Sequence, residues 1–367
     1  MEPIRILHVV TYMGRGGLET MIMNYYRHMD RSRIQFDFLV HRDFRADYDD
    51  EIEALGGRIH RLPQLIPWSS SYNNALNHFF AEHPEYRIVH VHQDCLSSVI
   101  LKAAEKQGIP VRIAHSHSSS QDKNLKYLIK LFYKRRIPAL ATQLFACGRD
   151  AGDWMFGGAS YRIVNNAIDA KNYTYSPVRR QEMRQQLGIR EDAFVVGHVG
   201  RFNAVKNHTF LLDVFAEVRR KLRDAVLLLV GEGDLRSEME QKAATLGMKD
   251  SVIFTGMRTD VPDLMQAMDC FVFPSLYEGI PVTMIEAQAA GLPCVISDAV
   301  PAESRKTDLV EQLGLQQGVA VWTDQILKHM GDVRPDTCAM IAAAGYDIIS
   351  NAFWLQNYYL EQWKKEA

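Results

Sequence analysis

Apolar residues along this chain fall into short blocks separated by polar, helix-forming stretches. Ile4 to Val10 is the first block, the length of a strand rather than a helix. A loop, 11–17, follows and leads into a helix predicted to run to about Met29. Further strands are predicted at 36–40, 58–61, 88–92, 111–115 and 143–147, with helices near 49–55, 71–83, 96–106 and 125–137 between them. A second series has strands at 194–199, 225–230, 252–255, 270–273 and 293–297, and helices at about 208–221 and 282–290. Strands that alternate with helices predict parallel, doubly wound sheets covered on both faces. Ligands of such sheets bind beyond the carboxyl ends of the strands.

The two series divide a chain of 367 residues into two domains, each long enough for its own core. The segment 157–177 mixes Gly, Asn, Ser and Pro as an interdomain crossing does. The composition is 47% apolar and 23% charged, ordinary for a globular protein, and the net charge of −2 offers no global field for nucleic acid. The five cysteines form no CxxC pair, which predicts buried free thiols in a reducing cytosol rather than disulfides or zinc. No apolar run approaches the ~18 residues of a membrane span, and the N-terminus enters a strand pattern without an export signal.

One stretch is dense in chemistry: Pro274-Ser-Leu-Tyr-Glu-Gly-Ile-Pro-Val-Thr-Met-Ile-Glu-Ala-Gln-Ala-Ala-Gly-Leu-Pro293. It follows a strand and reads as loop, then helix, with Pro281 at the first helical position and Gly291 and Pro293 past its end. Glu278 lies beside the helix N-terminus, where backbone N–H groups from Gly279 and Ile280 onward suit a phosphate. Glu286 projects from the helix and suits the vicinal hydroxyls of a ribose. The other reading is a surface helix with two solvated glutamates.

That pattern resembles the Glu-x7-Glu signature of the group 1, or family 4, retaining glycosyltransferases. A second element agrees: Gly200-Arg-Phe-Asn-Ala-Val-Lys206-Asn207, after the strand at 194–199, is similar to the family's Gly-Arg-x-x-x-x-Lys-Asn. An arginine and a lysine in a loop ahead of a helix suit a pyrophosphate, one as a fork of donors and one as a mobile point charge. The resemblance implies the GT-B fold, two Rossmann-like doubly wound domains facing across a cleft: an acceptor domain at 1–165, a donor domain at 166–345, and a terminal helix at 346–367 that returns to the first. It implies that Arg201 and Lys206 stabilise the departing nucleoside diphosphate, and that Met257 or Arg258 meets the base. The family's commoner Glu-Gly-Phe-Gly is here Glu278-Gly279-Ile280-Pro281, which resembles a subgroup of exopolysaccharide and capsule assembly enzymes.

The first half carries looser candidates. Gly14, Gly16 and Gly17 are reminiscent of a dinucleotide loop, but Glu19 stands where the third glycine of G-x-G-x-x-G belongs. By resemblance Gly16 and Gly17 face the donor. His90 and His92, and His115 and His117, are two His-x-His pairs at strand ends. Each shares a strand face and is half of a metal site at most, since no carboxylate or cysteine lies at a matching spacing. The family places a histidine near the donor sugar here, and His117 fits that place slightly better than His115. Asp47-Tyr48-Asp49 sits at a charged helix start rather than after a strand. No metal and no cofactor beyond the nucleotide-sugar substrate is therefore expected. The segment 123–136 interleaves Lys123, Lys126, Lys130, Lys134, Arg135 and Arg136 with leucines and aromatics. It reads as a helix with its apolar face in the core, as one that lies on an anionic membrane surface, or as one that grips an acceptor phosphate.

The resemblance as a whole implies transfer of a sugar, UDP-linked by first choice, to a glycan or polyprenyl-linked acceptor, in the cytoplasm or at the inner face of the membrane. The catalytic candidates are Glu278, His117, Arg201 and Lys206. Two alternatives are a sugar-nucleotide epimerase of the same fold and a non-catalytic partner subunit.

Overall fold

The structure, a computed structural model, describes residues 2–118 and 127–366. The chain divides into two units, Met1–Ala167 with Ile348–Ala367, and Ile168–Asp347.

The first unit is built on seven parallel strands: β1 (Ile4–Val9), β2 (Ile34–Val40), β3 (Ile59–Arg61), β4 (Ile88–Val91), β5 (Val111–Ser116), β6 (Gln143–Ala146) and β7 (Arg162–Ile163), in the order β3-β2-β1-β4-β5-β6-β7. The central strands are apolar on both faces because both are covered. Ile6, Phe36, Phe38 and Ile113 face one core, and Leu7, Leu39, Val89 and Val91 the other. The terminal helix Ile348–Lys365 belongs to this unit and buries Ile348, Ala352, Leu355 and Tyr359 against the first of these cores, a helical spacing. Asp37 on β2 is wholly buried, yet fully paired: Arg5 donates to both carboxylate oxygens at 2.5 and 2.6 Å, Tyr86 at 2.8 Å and the Arg58 backbone at 2.7 Å.

The second unit has six parallel strands: β8 (Val195–Val199), β9 (Val226–Val230), β10 (Val252–Phe254), β11 (Cys270–Phe273), β12 (Cys294–Ser297) and β13 (Val310–Leu313), in the order β10-β9-β8-β11-β12-β13. In both sheets the strand order reverses beside the first strand, between β1 and β4 and between β8 and β11. Loops leaving such a pair diverge to opposite faces and open a crevice at the carboxyl ends.

Two strands and several helices went unforeseen. β7 is two exposed residues and β13 reads Val-Glu-Gln-Leu, so neither carries an apolar block. The helix Arg236–Thr245 buries only Met239 and Ala243, too few to show a period. None of the five cysteines is in a disulfide, and four are buried. The segment 123–126 of the basic stretch lies outside the described residues. The helix that follows, Tyr127–Lys134, has no fully buried residue: Leu128 and Phe132 are 76% and 53% exposed, while Tyr133 packs half-buried against the second of these cores.

Candidate active site

The second unit gathers most of the chemistry at its switch point. The loop after β8 carries Arg201 and Lys206, and the loop after β11 carries Glu278, Gly279 and Ile280. The two loops are tied to each other. The Leu276 N–H donates to the Val205 carbonyl at 2.8 Å, and the Asn207 side-chain amide to the Pro274 carbonyl at 3.2 Å. Lys206 Nζ then reaches Glu278 Oε1 at 2.5 Å and lies 4.5 Å from the centre of the Phe273 ring. Both side chains of this ion pair are mostly buried, 17% and 13% exposed, so it is screened far less than a surface pair.

The path of the Arg201 loop is set by a glycine turn. Gly231 and Gly233 hold φ of +143° and +155°, and a Cβ on either would come within 2.2 and 2.4 Å of the carbonyl oxygens of Gly200 and Phe202. The turn therefore lies directly against the loop, and the Phe202 N–H donates to the Glu232 carbonyl at 2.9 Å. Asn207 is left-handed, φ +53°, a conformation asparagine tolerates better than most residues. Asn207→Ala removes both that tolerance and the bond to Pro274. It is expected to lower stability by about 1–2 kcal/mol, and Asn207→Gly by less, in thermal unfolding.

Glu286 sits on the helix Val282–Ala289, whose cap residue is Pro281, one position earlier than expected for that proline. Glu286 is buried, and its Oε1 accepts from the Tyr173 hydroxyl at 2.7 Å. Burial pushes its carboxyl up to about 7, against the pull of the Tyr173 hydrogen bond. It is not one of two solvated glutamates. Tyr173 was not foreseen: it lies 113 residues away in a polar stretch and carries no motif. Arg258 follows β10, and its guanidinium is held by Asp260 at 2.8 and 2.5 Å.

The remaining candidates belong to the first unit. Gly16, in the loop that follows β1, caps the helix Gly17–Arg27. His117 follows β5, and its Nε2 is 2.8 Å from Nδ1 of His92, which follows β4. His90, His92 and His115 are buried and bonded to other rings. Asp49 is buried against Arg61 at 2.5 Å, and Asp47 is exposed. Among the described residues no helix is long and apolar enough to cross a membrane.

The family model described as "Glycosyl transferases group 1" matches residues 179–310, and that described as "Glycosyltransferase Family 4" matches residues 15–172. EpsF of Bacillus subtilis (strain 168), a glycosyltransferase by name, is 38% identical over 375 residues, 97% of this chain and 96% of its own. The chain belongs to the group 1 and family 4 glycosyltransferases. A second relative of this glycosyltransferase is the UDP-Gal:alpha-D-GlcNAc-diphosphoundecaprenol alpha-1,3-galactosyltransferase of Escherichia coli, 26% identical over 226 residues, 58% of each chain. Among solved structures, Anabaena HepE in complex with UDP and glucose matches with a TM-score of 0.79 at 19% identity, over 97% of this chain and 99% of its own, a likeness of fold. The glycosyltransferase has the GT-B architecture of two doubly wound parallel sheets.

Proposed function

We propose that this glycosyltransferase is a retaining, metal-independent hexosyltransferase that moves a sugar from a UDP-sugar to a glycan or polyprenyl-linked acceptor in exopolysaccharide or capsule assembly. The observation that carries the reading is the Lys206–Glu278 pair at the switch point of the second sheet, with Arg201 on the same loop as Lys206 and Glu286 on the helix after Glu278. In this reading Arg201 and Lys206 hold the diphosphate, and the N–H groups at Gly279 and Ile280 assist them. Glu278 orients Lys206 and meets the sugar. Glu286 takes the ribose hydroxyls, and Arg258 flanks the base.

The C1–O bond to the leaving phosphate breaks and a C1–O bond to the acceptor hydroxyl forms on the same face. The acceptor proton passes to a phosphate oxygen of the departing UDP. The protein supplies position and positive charge for this step. The two cations take the place that a metal would have in neutralising the diphosphate, and no cofactor is needed beyond the donor. UDP is favoured by two of the similar proteins: HepE is bound to UDP and glucose, and the Escherichia coli enzyme is named for a UDP-Gal donor and a lipid-diphosphate acceptor.

The test is transfer of labelled sugar from a panel of UDP-sugars to a polyprenyl-diphosphate sugar, with chelator present, and NMR of the product anomer. Transfer with the donor's anomeric configuration is expected. An inverted product, or activity abolished by chelator, contradicts the retaining or the metal-independent part. A changed donor sugar without acceptor would indicate an epimerase instead.

We also propose that the enzyme works at the inner face of the cytoplasmic membrane, through the basic helix. Its exposed Leu128, Ile129 and Phe132 stand among Lys130, Arg135 and Arg136, and each basic residue near an anionic surface contributes about 1 kcal/mol. Flotation with anionic vesicles is expected for the wild type and not for Leu128→Ser with Phe132→Ser. Equal flotation of both, or none of the wild type, removes this claim.

A further inference from the structure

Five histidines of the first unit lie on one face of its sheet. His8 on β1 is directly beside His90 on β4, His92 continues β4, and His115 and His117 lie at the end of β5. Hydrogen bonds join them into two chains. His117 Nε2 is 2.8 Å from His92 Nδ1, and His92 Nε2 is 3.0 Å from His8 Nδ1. His115 Nδ1 is 3.1 Å from His90 Nε2, and His90 Nδ1 is 2.6 Å from the Tyr359 hydroxyl. Two buried ring nitrogens, His115 Nε2 and His8 Nε2, have no hydrogen-bond partner among the described residues. Such orphaned groups are costly and rare.

Burial holds the rings in the neutral form, with His8 and His117 pushed down to about 3 and the other three well below the usual range. Neutral imidazole is the form that ligates metals. Ring nitrogens of His92, His115 and His117 lie within 4.8 Å of one another. We propose that these three histidines form a site for a divalent transition-metal ion, zinc by first choice, bound through His92 Nδ1, His115 Nε2 and His117 Nε2.

The rest of the network supplies what such a site needs. Metal ligation at those nitrogens fixes each ligand's tautomer, so that the other ring nitrogen donates. His92 Nε2–H then donates to His8, and His115 Nδ1–H to His90, whose own N–H donates to Tyr359. These are the outer partners that orient metal-bound histidines. The ion also satisfies the orphaned nitrogen of His115. His8, His90 and His92 likewise have ring nitrogens within 4.8 Å of one another. That grouping is wholly buried, whereas half-buried His117 gives an ion a way in to the other, so it is the poorer site. Two nitrogens on a tetrahedral zinc stand about 3.3 Å apart, so the His92–His117 pair opens by only about half an ångström. Three histidines leave a fourth position for water or an anion. No step of the transfer runs through the ion. In this reading His117 Nε2 is a metal ligand, and the place near the donor sugar that the resemblance implies for it falls away.

The test is zinc titration of the full chain against a chromophoric chelator, with metal content measured after dialysis. One zinc per chain is expected for the wild type and for His78→Ala, an exposed histidine elsewhere. His117→Ala, at the half-buried edge, and His115→Gln are expected to weaken zinc by more than about tenfold, the least that loss of an outer partner costs. Thermal unfolding without zinc shows whether each variant is folded. His117→Ala decides the matter if His115→Gln is not. No zinc retained by the wild type, or equal affinity in wild type and His117→Ala, overturns the site.

Discussion

Lys206→Ala is expected to reduce kcat by about 10²-fold or more, the scale on which loss of a preorganised charge contact to a departing oxygen is felt. Lys206 is held at 2.5 Å by Glu278 and backed by the Phe273 ring, so its ammonium is in place before the donor arrives. Negative charge grows on the leaving diphosphate as the glycosidic bond breaks, and a fixed cation there is worth more in the transition state than in the ground state. The substitution does more than remove a charge. It leaves the Glu278 carboxylate, 13% exposed, facing the place proposed for the diphosphate. Lys206→Ala with Glu278→Gln is therefore expected to recover part of the loss. Steady-state kinetics with saturating donor is the check. A kcat within twofold of wild type contradicts the role of Lys206.

Glu286→Gln is expected to change two measurements in opposite directions. Nucleotide binding should weaken about tenfold, the worth of one charge-assisted hydrogen bond to the ribose. Stability at alkaline pH should rise. The native carboxyl, pushed up to about 7 from the usual 4.5, takes up its proton on folding between those values. Its contribution to stability therefore falls as pH rises from 4.5 to about 7 and is level above that. The ionised form costs on the order of 3 kcal/mol in the native state, and the amide escapes that cost while still accepting from Tyr173. The variant should match the wild type near pH 4 and exceed it at pH 8, in denaturant unfolding at the two pH values. A gain in stability with unchanged nucleotide affinity would make Glu286 a packing residue and no ribose ligand.

The donor half was legible because its motifs are local. The loop and helix from Pro274 to Pro293 declare themselves within one apolar block, one proline and one glycine. The contact between Lys206 and Glu278 was not legible from spacing, because it depends on β8 and β11 being neighbours, and strand order is not written in either segment. Tyr173 escaped for the same reason. The histidine pairs showed on β4 and β5, but His8 and Tyr359, which complete the network, come from β1 and the terminal helix and have no pattern of their own. The basic segment had several open readings because amphipathicity shows that a face is apolar and not what covers it. Leu128 and Phe132 are exposed while Tyr133 of the same helix packs against the core.

Calorimetric titration with UDP, GDP and ADP, without added divalent metal, tests the central claim most directly. The account predicts one site per chain that prefers UDP and loses affinity in Arg201→Ala and Glu286→Gln. No binding of any of the three, or affinity unchanged in both variants, would contradict a nucleotide seat at the ends of β8 and β11.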